Sequence, residues 1–206
     1  MEIKERIEVG DPEIITELFL APYRYFSPLF WERGFKTMLD VGCGNGIGTD
    51  IMKRYFPQVI GVDKELLAMQ KDFIQADVTN LHQFQDDSFD GAFCFETIEH
   101  IDGEGQKKLV LELNRVCKKG FVIGSINKDG PDMIKGVEIW KGEKNKYHLK
   151  ELTIDDFVDI GNGIEGKKYA QYYGSRYDRT PEVVRIDILV PPYSDRSFSN
   201  YVQIIK

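Results

Sequence analysis

No stretch of the chain runs apolar for anything near the ~20 residues a helix needs to cross a bilayer. Stable membrane association is therefore not expected. Cysteine is scarce: Cys43, Cys94 and Cys117 form no CxxC pair and are odd in number. That pattern speaks against a disulfide framework and a zinc–thiolate site, and for a reducing compartment. Positive charge is in deficit, with 27 Lys and Arg against 34 Asp and Glu, a net −7. A chain of that sign does not attract phosphate backbones as a whole, so nucleic-acid binding would require a local basic patch. The opening Met1-Glu-Ile-Lys-Glu-Arg6 is too charged for a signal peptide, and a cytoplasmic location is expected. Internal repeats and low-complexity segments are also lacking.

What is present is an alternation of short apolar runs and amphipathic stripes. Its 206 residues suit one domain spanning 1–206. Residues 1–34 read as a helical segment: Asp11-Pro12 is a start signal, and Ile14, Ile15, Leu18 and Phe19 follow at helical spacing. Strands are expected at 36–41, 59–62, 73–76, 89–95 and 121–126. The helices between them include a stripe from Ile47 to Phe56 ended by Pro57, one at 64–71 and one through Leu109, Val110, Leu113 and Val116. Near-continuous apolar strands separated by helices imply a parallel sheet covered on both faces. Residues 127–150 are a long polar stretch holding Trp140 and His148, as a lid or substrate loop would be. A helix at 153–160 follows, with Thr153 as N-cap and Asp156 three residues on. Strands at 168–173 and 201–205 close the chain, and 183–190 is a further candidate. The fold class is α/β, a Rossmann-like doubly wound and mostly parallel seven-stranded sheet with an antiparallel C-terminal hairpin.

Asp40-Val-Gly-Cys-Gly-Asn-Gly46 closes the first strand and opens a helix. Glycines there permit a sharp turn and close approach of a ligand, and a helix N-terminus adds oriented N–H groups. The nicotinamide fingerprint G-x-G-x-x-G does not fit, because the third glycine would fall on Ile47 or Thr49. Two more acids follow strands: Asp63 ends the second, where a carboxylate can accept ribose hydroxyls, and Asp77 follows the third in Gln75-Ala-Asp-Val78. This pattern resembles the class I S-adenosylmethionine methyltransferases of the type-11-like group, from about Lys36 to Ile126. The resemblance implies that the glycine turn (Asp40, Gly42, Cys43, Gly44, Gly46) holds the methionine part of the cofactor. It also implies ribose at Asp63 and Lys64, and adenine at Asp77 and Val78.

After the fourth strand comes Phe95-Glu-Thr-Ile-Glu-His100. As one helical turn it would put Glu96, Glu99 and His100 on a single face. Two carboxylates and an imidazole form a plausible half-site for a divalent ion, with His148 as a fourth ligand; oxygen-rich donors suit Mg or Mn. The segment is similar to that of metal-dependent small-RNA 2′-O-methyltransferases and ubiquinone-pathway O-methyltransferases. Many type-11-like enzymes carry a similar acid and histidine here without metal, so His100 or His148 as general base stays open beside the metal reading. Val190-Pro-Pro-Tyr193 reads as a turn, because the amino-methylating DNA methyltransferase motif it is similar to follows the fourth strand. Lys167, Lys168, Arg176, Arg179, Arg185 and Arg196 interleave with Tyr169, Tyr172, Tyr173 and Tyr177. That could bind RNA, but alternation in a half-buried hairpin with one solvated face gives the same pattern. The leading expectation is methyl transfer to oxygen or nitrogen of a small-molecule acceptor. A nucleic-acid acceptor, a nicotinamide-dependent oxidoreductase and a non-catalytic cofactor-binding module are the alternatives. The sequence specifies no oligomeric state.

Overall fold

The computed structural model describes residues 12–65, 72–130, 133–134, 137–138, 145–177, 184–189, 197 and 199–206. In chain order these form α1 (Pro12–Glu32), β1 (Thr37–Val41), α2 (Ile47–Met52), β2 (Gln58–Asp63), β3 (Phe73–Gln75) and β4 (Phe89–Phe95). A 3-10 turn (Ile98–His100), α3 (Gly103–Val116), β5 (Cys117–Ile126), β6 (Met133–Ile134) and β7 (Val137–Glu138) follow. Then come α4 (Ile154–Gly163), β8 (Tyr169–Tyr177), β9 (Val184–Leu189) and β10 (Ser199–Ile205). The strands of the main sheet lie in the order β3-β2-β1-β4-β5-β10-β8-β9. The first five are parallel, while β10 runs antiparallel to both β5 and β8. Seven of these strands are the seven-stranded sheet with antiparallel hairpin expected from the sequence. The candidate run at 183–190 supplies an eighth, β9, paired antiparallel to β8 at the edge. The helix expected at 64–71 falls mostly outside the described residues.

Both sheet faces are covered, as continuous apolar strands require. One face packs Leu39, Val41, Cys94, Phe121, Ile123 and Val202 against Leu109 and Leu113 of α3 and Phe157 of α4. The other packs Met38, Phe93, Phe95, Val122 and Tyr201 against Tyr23, Phe26 and Phe30 of α1 and Ile51 and Met52 of α2. The N-terminal segment is one helix that continues through Pro22 and Pro28. Each interior proline removes a helix hydrogen bond, at ~3 kcal/mol or more. The opposing force is aromatic packing. Phe26 lies 5.0 Å from Tyr173 edge-on and 5.9 Å from Phe95, and Phe30 lies 5.0 Å from Phe93. Such pairs contribute ~0.5–1.5 kcal/mol each beyond area burial. At the other end, α4 begins with a complete capping box, Thr153 and Asp156 each bonding the other's backbone N–H.

Phe26 is fully buried, and its ring joins α1 to three strands. Phe26→Ala is expected to lower unfolding free energy by ~3–5 kcal/mol, as large-to-small changes in aromatic cores do. Denaturant titration checks this, and a loss under ~1 kcal/mol would mean that α1 is not part of the cooperative core.

Candidate functional site

The sheet order breaks at β1, whose neighbours β2 and β4 are both parallel to it. Chains leaving the carboxyl ends of β1 and β4 therefore part to leave a crevice, the usual ligand position in open α/β sheets. The glycine turn lies there, with Gly42, Gly44 and Gly46 all at positive φ. Its N–H groups are largely committed within the protein. Those of Gly42 and Cys43 bond Val62 O, that of Gly46 bonds Cys43 O, and that of Gly44 bonds Asp63 Oδ2 at 2.8 Å. The turn therefore offers space more than N–H donors. A Cβ on Gly42 would collide with Thr97, and one on Gly46 with the Phe73 ring, whereas one on Gly44 would meet nothing within 4 Å. The three glycines divide the work: two let neighbouring chains close in, and Gly44 borders open space.

Asp40 is fully buried beneath the turn. Its two oxygens accept from Tyr23 Oη at 2.8 Å and Thr49 Oγ1 at 2.6 Å. With both oxygens bonded to hydroxyls of α1 and α2, it braces the turn from below. Burial lifts its carboxyl to about 6, against the two hydroxyl bonds that lower it. Asp63 is half-buried at the end of β2, binding the N–H of Gly44 and of Glu65. Lys64 beside it is exposed, its carbonyl accepting from Gln75 Nε2. Asp77 is exposed two residues past β3, its Oδ1 bonded to Thr79 N–H and Oγ1, and these bonds hold its carboxyl below the usual range. Val78 beside it is buried against the core with Leu81. Cys43 is likewise buried and its thiol pushed up by burial, which suits a packing residue rather than a nucleophile.

Beyond β4 the chain departs from the single helical turn expected. Glu96 stands at φ 49°, outside the helix, and only Ile98–His100 wind as a 3-10 turn. The left-handed residue bends the chain sharply enough that the Glu96 and Glu99 carboxyls still meet. Glu99 is buried, with Ser125 as a further partner, and Ser199 Oγ bonds Glu96 Oε1 at 3.3 Å. Burial pushes both carboxyls above the usual range, and for Glu96 the charge of Glu99 adds to it. On each, Oε2 is buried with no hydrogen-bond partner. His148 arrives from much later in the chain. The N–H groups of Leu149 and Lys150 both bond the Glu99 carbonyl, at 2.8 and 3.2 Å. The rings of His100 and His148 then lie 4.9 Å apart, edge to face. One ligand atom each from Glu99, His100 and His148 lies within 4.8 Å of the others, while Glu96 adjoins the group through Glu99. A cavity of about 500 Å³ opens beside His148, with Lys128, Lys146 and Lys150 among its lining residues.

Three residues that hold this site carry no sequence signal of their own. Thr97 packs on Gly42 and donates to Phe95 O at 3.0 Å, coupling the two turns. Buried Gln106 on α3 donates to the carbonyls of Ile98 and Lys150, 3.0 and 2.8 Å away. Glu151 receives His148 Nδ1 at 2.6 Å. At Tyr172 and Tyr173 both faces of the hairpin are covered, where a solvated face was expected, because α1 and α4 flank it. Their hydroxyls bond Val158 O and Gln203 Oε1, so neither ring is a free stacking platform. Arg179, Arg196, Trp140 and Val190–Tyr193 lie outside the described residues.

The glycines separate stability from binding. Gly42→Ala is expected to destabilise the fold, because Thr97 sits in the way of the new methyl group. Gly44→Ala should cost only the ~1–2 kcal/mol of a left-handed conformation, yet lower affinity for S-adenosylhomocysteine. Calorimetry and thermal unfolding of the two variants check this, and equal affinity for Gly44→Ala and wild type would remove the turn from the site. Asp40 gives a pH signature. Its folded pKa of about 6 lies above the unfolded 3.8, so Asp40 by itself withdraws ~3 kcal/mol of stability as pH rises between those values. Asp40→Asn should lack that slope, and parallel stability–pH curves for the two proteins would contradict it.

Comparison with known proteins agrees with this geometry. A methyltransferase-domain family model matches residues 39–123, from β1 into β5. A ubiquinone biosynthesis O-methyltransferase of Albidiferax ferrireducens is 38% identical over 78 residues, covering 31% of this chain and 31% of that protein. The match thus spans about a third of that relative. The described fold superposes on a SAM-dependent methyltransferase from Archaeoglobus fulgidus with a TM-score of 0.70 at 18% identity, covering 92% of this chain and 94% of that one. It also superposes on the small RNA methyltransferase HEN1 with a TM-score of 0.60 at 15% identity, covering 90% of this chain and 25% of that one. Residues 39–123 thus match a methyltransferase-domain model, and the chain as a whole has the fold of S-adenosylmethionine-dependent methyltransferases.

Proposed function

We propose that the chain transfers the methyl group of S-adenosylmethionine to a hydroxyl oxygen of a small-molecule acceptor held at Glu96, Glu99, His100 and His148. The observation that carries this reading is the crevice itself, where the glycine turn and the Glu99–His100–His148 group stand at the carboxyl ends of adjacent strands β1 and β4. The residues fit the cofactor. Gly44 leaves room for the methionine part, Asp63 has acceptor capacity left for ribose, since a carboxylate offers about four lone-pair positions, and exposed Asp77 can take the adenine amino group. The sulfonium donor brings its own reactivity, so alignment of an in-line attack is the protein's main task, where proximity supplies up to ~7–11 kcal/mol.

A hydroxyl acceptor must lose its proton, and the second cluster suits that need. Among the described residues, two buried carboxylates with unpartnered Oε2 atoms beside two imidazoles form a donor set for Mg or Mn. Such an ion, when bound, would lower the acceptor's pKa. Without it, His100 or His148 would take the proton directly. An RNA 3′-terminal ribose hydroxyl offers the same chemistry.

Mn²⁺ titration of wild type and Glu99→Gln separates these versions. Wild type is expected to bind one ion, and Glu99→Gln to bind it at least tenfold more weakly while keeping its affinity for S-adenosylhomocysteine. Transfer of labelled methyl to a panel of hydroxyl acceptors should stop in a chelator. Transfer that persists there would reject the metal and leave the histidine as base.

A further inference from the structure

The imidazole of His148 lies in a chain of hydrogen bonds whose directions are fixed from one end. The backbone N–H of Tyr147 donates to Asn145 Oδ1 at 3.0 Å. The amide oxygen is therefore the atom turned to the backbone, and Nδ2 is the atom turned to His148 Nε2, 2.8 Å away. An amide nitrogen only donates, so Nε2 accepts and carries the ring's lone pair. The single ring proton then sits on Nδ1, where Glu151 Oε1 accepts it at 2.6 Å. Both side chains are almost wholly buried, 4% and 2% exposed, so water does not compete for that proton. His100 obeys the same logic. Its Nδ1 lies 2.9 Å from the Tyr147 carbonyl, which can only accept, so its lone pair also falls on Nε2.

We propose that Glu151 is a positioning residue that, together with the Asn145 amide at the opposite nitrogen, holds His148 in its Nδ1–H tautomer and so presents Nε2 as the working atom, either ligand or base. This rests on the reading of Glu99, His100 and His148 as the reacting cluster. A histidine in water favours the other tautomer, with the proton on Nε2, where it blocks both roles. Glu151 reverses that preference through a buried, charge-accepting hydrogen bond. The geometry has a second consequence. Asn145 Nδ2 covers the lone pair in the ligand-free chain, so any ion or hydroxyl that takes Nε2 displaces that amide. The segment carrying both residues is anchored to Glu99 by the bonds from Leu149 and Lys150, so the displacement is local.

Nitrogen NMR of the full chain, labelled at histidine, reads the tautomer directly. In wild type, His148 is expected to show a protonated Nδ1 and an unprotonated Nε2. Glu151→Ala should move the proton toward Nε2, whereas Glu151→Gln, which keeps an acceptor oxygen, should retain the wild-type pattern. Mn²⁺ affinity by calorimetry should fall 10–100-fold in Glu151→Ala, the usual effect of losing a carboxylate behind a ligating histidine, and less in Glu151→Gln. Wild-type His148 carrying its proton on Nε2, or an unchanged tautomer in Glu151→Ala, would overturn the proposal. Absence of Mn²⁺ binding by wild type would instead sink the metal reading of the cluster, while the NMR still decides the role of Glu151. If Glu151→Ala does not fold, the wild-type and Glu151→Gln spectra decide it.

Discussion

The site depends on one topological constraint, the reversal of strand order on either side of β1. Where the order reverses, the segments that follow the neighbouring strands β1 and β4 leave over opposite faces, and their departure leaves the carboxyl edge open. Everything functional in the account is attached to that edge. The turn at 42–46 follows β1, Asp63 ends β2, Asp77 follows β3, and Glu96 follows β4. Contacts between these turns then set their spacing: Thr97 against Gly42, and Gly44 N–H on Asp63. His148 comes from much later in the chain, and two N–H bonds to one carbonyl, that of Glu99, bring it to the same place.

Buried acids fall into two kinds, those whose oxygens are all partnered and those that keep one bare. Asp40 is fully buried, but each oxygen has a hydroxyl partner; it is a brace between α1, α2 and the turn. The Glu96 and Glu99 carboxyls meet, both with a raised pKa, and each keeps one buried oxygen with no partner. An orphaned buried oxygen costs ~1–3 kcal/mol or more. Perturbed carboxyls of this kind concentrate at functional sites. The same contrast explains why the glycine turn contributes room rather than N–H groups: its own donors are already taken.

The sheet and the glycine turn after its first strand were legible in the sequence, because both rest on local signals. Apolar runs of four to seven residues and the turn Gly42-Cys-Gly-Asn-Gly46 are visible without knowing the fold. The acids at 63 and 77 follow from strand ends that periodicity already places. Asp40 was legible as an acid before a glycine turn, but not as a buried brace, because its partners Tyr23 and Thr49 come from separate helices. The geometry of residues 96–100 was out of reach for a related reason: helical spacing suggests one turn, while the left-handed φ of Glu96 is imposed by packing at the crevice. Thr97, Gln106 and Glu151 have ordinary local contexts, and only contacts with distant residues reveal what they hold.

The central claim is that the crevice beside the glycine turn takes S-adenosylmethionine. Calorimetric titration of the wild-type chain and Asp63→Ala with S-adenosylhomocysteine, and of wild type with a nicotinamide dinucleotide, tests it most directly. The account predicts one S-adenosylhomocysteine site in wild type, weaker by ~1.5–3 kcal/mol in Asp63→Ala, the loss typical of hydrogen bonds to a charged group, and no nicotinamide binding. Saturable nicotinamide binding with no response to S-adenosylhomocysteine would contradict it.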